Sequence, residues 1–124
     1  MITAPENLAW LLNIRGKDSK HSPLPNCHAV LDSDEKITLV VNKNKINTKF
    51  KLHFKNILNY IEPSYFPEYL KSLNYKEVFL IDKFSCPFFY KKLIEKKFNF
   101  YEKVDPIYIF KAKKNNVEIS NSIK

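Results

Sequence analysis

The sequence predicts an α/β domain, a mixed sheet of about five or six strands flanked by helices. Short β-prone runs alternate with segments of helical spacing, the order that yields a sheet with helices laid over it. The chain has 124 residues, 44% of them apolar and 15% aromatic, enough to build one core and too apolar for wholesale disorder. The longest apolar runs, 37–41 and 78–81, have the length of strands. A membrane span needs roughly 20 apolar residues in a row, and no run approaches that.

In order along the chain, residues 7–14 read as an apolar strand entering a turn at Arg15-Gly16-Lys17-Asp18. Pro23 and Pro25 keep the next stretch an extended loop. Residues 28–31 and 37–41 form a hairpin across the polar turn Asp32-Ser33-Asp34-Glu35. Ile46, Phe50 and Phe54 share one face of a short helix, and residues 57–61 follow as a strand. A helix opens at Pro63-Ser64 and runs to about Leu73, carrying Tyr65, Tyr69 and Leu73 at a spacing of one helical turn. Residues 77–82 are a strand whose apolar centre, 78–81, suits cover on both faces. Ser85 is placed to cap a helix with Pro87 just inside it. That helix reaches about Lys97, with Phe89 and Leu93 on its apolar face and Lys96-Lys97 in its last turn. Residues 99–104 and 106–110 are β-like, and 117–124 begin another helix. No internal repeat and no low-complexity linker is visible.

The net charge of +8 admits nucleic acid as a partner, but its make-up argues against it. Arg15 is the sole arginine, and the lysines are scattered; paired phosphate and base contacts favour the planar guanidinium. Cys27 and Cys86 match no close-spaced metal or redox motif and read as small buried hydrophobes with free thiols, in keeping with a cytoplasmic location. No export signal is visible at the N-terminus. With a single glycine, Gly16, glycine-rich phosphate loops are excluded, and no serine sits in a nucleophile elbow. Cys27 and His28 are neighbours on an expected strand and point to opposite faces, so a zinc site with His21 is not expected; His53 lies elsewhere. Asp32, Asp34 and Glu35 read as a solvated turn.

The sole tryptophan, arginine and glycine fall together, in Asn7-Leu-Ala-Trp-Leu-Leu-Asn-Ile-Arg-Gly-Lys-Asp18. This segment resembles the opening of the second domain of three-domain Xaa-Pro aminopeptidases (aminopeptidase P): Ala-Trp-Leu, then Asn, an apolar residue, Arg-Gly, one variable residue and Asp. The proline loop and hairpin that follow fit the same pattern. Near the other end, Pro106-Ile107, Lys111-Ala-Lys-Lys-Asn115 and Glu118-Ile119 resemble the family's linker into its catalytic domain, with Lys113 replacing the commoner apolar residue. The chain is thus expected to hold a creatinase/prolidase N-terminal-type domain, with a ribonuclease H-like motif, over 1–111. Residues 112–124 are then linker and the start of a missing catalytic domain.

The resemblance implies that peptidase activity belongs to a C-terminal pita-bread domain. Its two Asp, one His and two Glu hold a dinuclear metal centre, usually manganese, and none of that domain is present. The chain itself is expected to hold no cofactor and no catalytic residue. It is expected to act as a non-catalytic structural and substrate-gating domain, partnered by the catalytic domain in the same or a separate chain. A dimer and a peptide with proline at its second position complete the implied partners. A free-standing interaction or dimerisation module and a basic nucleic-acid binder are the alternatives. The chain is then a fragment, a split gene product or an excised piece.

On the matching positions, Trp10 suits a pocket or interface, with core packing as the alternative. Asn13 is expected to cap the turn, Arg15 to pair with Asp18 or with an acid of the catalytic domain, and Gly16 to supply a positive φ. His21, with Lys20 and the 23–25 loop, is a candidate for the channel wall. Trp10, Phe88, Phe89 and the 106–110 strip are candidates for apolar surface that meets the catalytic domain.

Overall fold

The structure, a computed structural model, describes residues 1–74 and 76–123. Among them are α1 (Pro5–Leu12), β1 (His28–Leu31), β2 (Ile37–Val40), α2 (Thr48–His53), β3 (Leu58–Ile61), α3 (Phe66–Ser72), β4 (Val78–Asp82), α4 (Phe88–Glu95), β5 (Asn99–Lys103), α5 (Ile107–Ala112) and α6 (Asn116–Ser122), with short 3-10 turns at Lys43–Lys45 and Pro63–Tyr65. The expected α/β class holds. The five strands divide into a three-stranded sheet, β1-β2-β3, and a two-stranded one, β4-β5. Pairing is mixed: β1–β2 is antiparallel, while β2–β3 and β4–β5 are parallel, each parallel pair bridged by a helix.

The N-terminal residues stand between the two sheets. Ile2 bridges Ala29 of β1 with N–H···O distances of 2.8 and 2.9 Å, and the Met1 nitrogen donates to the Leu80 carbonyl of β4 at 2.6 Å. These few residues join what would otherwise be separate ladders.

Helices cover the three-stranded sheet on both faces. Ala29, Ile37 and Leu39 face a core built with Leu8 and Leu12 of α1, Phe54 after α2 and Ile107 of α5. Val30 and Val40 face a second core with Phe66 and Leu70 of α3, Tyr90 and Ile94 of α4, and Phe79 and Ile81 of β4. Strand β2 is buried at every position, the signature of a central strand covered on both sides. Full burial of a side chain such as Phe66 or Ile94 contributes about 1.5–3 kcal/mol.

Several expected elements change type or phase. Residues 7–14 are not a strand: Pro5 starts a helix, and Leu8, Ala9 and Leu12 recur on one helical face against the sheet. Residues 106–110 are likewise helical, because the Asp105 carboxylate accepts from the Ile107 N–H at 2.9 Å and opens α5. Strand β4 is covered on one face only, with Val78 and Leu80 exposed. Helix α4 starts with Pro87 at its cap position rather than inside the first turn, and it ends at Glu95. Its buried residues are therefore Tyr90 and Ile94, with Leu93 half-buried and Phe89 exposed. Ser85 does not cap it; its hydroxyl meets the Thr3 hydroxyl at 2.8 Å. The hairpin, α2, β3, the helix after Pro63 and the terminal helix α6 lie where expected, and Lys124 lies outside the described residues. No helix among the described residues is long and apolar enough to cross a membrane.

Candidate functional site

Helix α1 ends because Asn13 adopts a left-handed backbone, φ 51°, and its N–H returns to the Trp10 carbonyl at 3.3 Å. Asparagine tolerates this conformation better than a branched residue. Asn13 thus ends α1 through its backbone. Gly16 does not take a positive φ; it is needed for space. A Cβ there would lie 2.6 Å from the Pro25 Cα, and the Gly16 N–H donates to the Pro23 carbonyl at 2.7 Å. The turn and the proline loop therefore lie against each other, backbone to backbone.

Asp18 closes the loop from the other end. Its carboxylate accepts from the Asn26 N–H at 2.7 Å and pairs with Lys45 at 2.6 Å. Lys45 and then the Asn26 N–H hold the Asp18 carboxyl below the usual range. Arg15 does not pair with Asp18; Lys45 has taken that place, and Arg15 donates to the neighbouring Ile14 carbonyl at 2.8 Å. Arg15 as a whole is exposed.

Two adjoining cavities flank this turn. One, about 450 Å³, lies between Ile14–Asp18 and the segment Lys45–Phe50, over a floor of Cys27, Leu39 and Val41. The other, about 670 Å³ and more open, continues past Asn13 along α2. They share Ile14, Arg15, Asn47 and Phe50, so the two form one groove. The groove gathers Asn13, Arg15, Gly16 and Asp18. Trp10 and His21 do not line it: Trp10 is 48% exposed on the outer side of α1, and His21 is exposed in the loop.

The far wall was not singled out from the sequence, although its signal is there. The Asn47 side chain accepts from the Phe50 N–H at 2.8 Å and starts α2, and the Phe50 ring packs at a tilt against Phe54 with centroids 4.8 Å apart. Also missed was a buried polar chain beneath α1. Asn7, fully buried, donates to Asp105 at 2.9 Å and accepts from Lys111 at 3.1 Å. Asp82 in turn accepts from the Asp105 and Ser85 N–H groups at 3.1 and 2.9 Å.

No group of three or more His, Cys, Asp or Glu among the described residues is disposed to hold a metal. Cys27, just before β1, and His28, its first residue, face opposite cores. Burial pushes the Cys27 thiol up to about 11, which keeps it protonated and inert. The His28 imidazole, lowered by burial, meets the Thr3 carbonyl at 3.2 Å and lies edge-on to Tyr90. These residues do not fit a dinuclear metal centre.

The family model described as "Creatinase/Prolidase N-terminal domain" matches residues 1–118. The chain belongs to the creatinase/prolidase N-terminal domain family. It is 31% identical over 96% of its length to "Xaa-Pro aminopeptidase 1" of Dictyostelium discoideum, covering 19% of that protein. It is 30% identical over 99% of its length to "Xaa-Pro aminopeptidase ApepP" of Drosophila melanogaster, covering 20% of that one. A shorter match, 34% identical over 45% of the chain and 8% of the relative, is to "Aminopeptidase P2" of Arabidopsis thaliana. The chain thus spans about a fifth of the length of the first two relatives. No solved structure matches the chain significantly.

Proposed function

We propose that this creatinase-type domain is a non-catalytic accessory lobe of a metal-dependent Xaa-Pro aminopeptidase, packing on the catalytic domain and shaping peptide access to it. The observation that carries this reading is the alignment of nearly the whole chain with about a fifth of two proteins named as Xaa-Pro aminopeptidases. The exposed faces of Trp10, Phe88, Phe89 and Phe110 support it, since large apolar side chains left in water suit a second surface. On this reading residues 112–124 lead into the catalytic domain, and the metal, manganese in the family pattern, is held there. The dimer and the cytoplasmic setting belong to the same proposal.

The test is made in the full-length enzyme. Trp10→Ala and Arg15→Ala are expected to lower kcat/KM for a short Xaa-Pro peptide by about tenfold, a loss near 1.4 kcal/mol, with an unchanged melting temperature. Unchanged kinetics with a lowered melting temperature would leave these residues a structural role only.

A further inference from the structure

We infer that the groove between the Asn13–Asp18 turn and α2 is a binding site for the free C-terminal carboxylate of an extended, apolar-ended peptide. The inference goes beyond the accessory role, because it concerns this chain alone and needs no catalytic partner.

Charge is the first argument. Among the described residues Asp18 is the one carboxylate lining the two cavities, and it is already engaged by Lys45 and the Asn26 N–H. Arg15, Lys17 and Lys49 line the same groove with no carboxylate in ion-pair range among the described residues. One Arg15 N–H is used on the Ile14 carbonyl, and its other donors have no partner among the described residues. A guanidinium with donors to spare grips a carboxylate through paired bonds.

The floor is the second argument. In the enclosed part, beside Arg15 and Lys17, the floor of Cys27, Leu39 and Val41 lies between Ile14 and Phe50 of the two walls, and its volume of about 450 Å³ is in the range of small-ligand sites. An apolar floor under a cationic rim matches the last residue of a peptide, with its side chain down and its carboxylate up. A nucleic acid fits less well. Single strands are held by stacking on several aromatic rings, and among the described residues Phe50 is the one ring in the enclosed part.

The probe is acetyl-Phe-Leu with a free carboxylate, set against acetyl-Phe-Leu-amide, titrated into the isotope-labelled 124-residue chain by amide NMR. The acid is expected to move the Gly16, Lys17 and Phe50 amides and to bind at least about tenfold more tightly than the amide. Arg15→Gln is expected to lose about the same factor while the spectrum of the distant β4–β5 sheet is unchanged, and Arg15→Lys to recover part of it. Equal binding of acid and amide overturns the inference, as does the absence of shifts at the groove. A short oligothymidylate that moves the same amides at lower concentration than the acid would make the groove a nucleic-acid face instead. Each of those failures leaves the accessory role standing, since that is tested by kinetics in the full-length enzyme.

Discussion

A methyl group on Gly16 would sit 2.6 Å from the Cα of Pro25, a contact that only backbone movement relieves. Gly16→Ala is therefore expected to lower stability by about 1–3 kcal/mol, read as a drop in the urea midpoint. Asn13 supplies the contrast. Its left-handed backbone makes Asn13→Gly nearly neutral, whereas Asn13→Val costs about 1–2 kcal/mol in the same titration. That Gly16 matters was legible, since it is the only glycine in a chain that otherwise avoids it. Its reason was not, because Pro25 comes into contact only after the loop folds back. Arg15 is a similar case. Sequence spacing offers Asp18 as its partner, but Lys45 arrives from the segment before α2 and takes the carboxylate.

Lys97 shows how one side chain completes an element far from it. Its ammonium donates to the carbonyls of Leu70, Lys71 and Leu73 at 3.1, 2.6 and 2.8 Å, closing the C-terminal end of α3. Lys97→Met keeps most of the aliphatic stem and removes the donors, so it is expected to cost about 1–2 kcal/mol in urea unfolding and to speed amide exchange in the last turn of α3. The sequence placed Lys97 in the basic last turn of its own helix, and periodicity has no means of pointing it at another. The hairpin, α2 and β3 were legible because turn residues and apolar spacing agree there. Residues 7–14 and 106–110 were read as strands since short apolar runs carry no decisive period. Pro5 and the Asp105-Pro106 pair were the helix-start signals that should have outweighed it.

Across the whole molecule, the polar chain from Lys111 through Asn7 and Asp105 to Asp82 ties α5, α1 and the end of β4 together inside the fold. Asn7→Leu keeps the volume but leaves the Asp105 carboxylate and the Lys111 ammonium without this partner. It is expected to cost about 2–4 kcal/mol by urea titration, and a double-mutant cycle with Lys111→Met should show coupling of about 1 kcal/mol. The α/β class and the strand count were legible from the alternation of elements. The division into two ladders was not, because it depends on where the first residues come to rest. Met1 and Ile2 settle between β1 and β4, and the Met1–Leu80 contact spans 79 positions. Met1 thus finds its partner only once a strand 79 positions further on is in place. Loop-closure entropy makes such distant pairing slow. The link to β4 is then a late step of folding, and until it forms the Ile2–Ala29 bridge alone guards the edge of β1 against pairing with other chains.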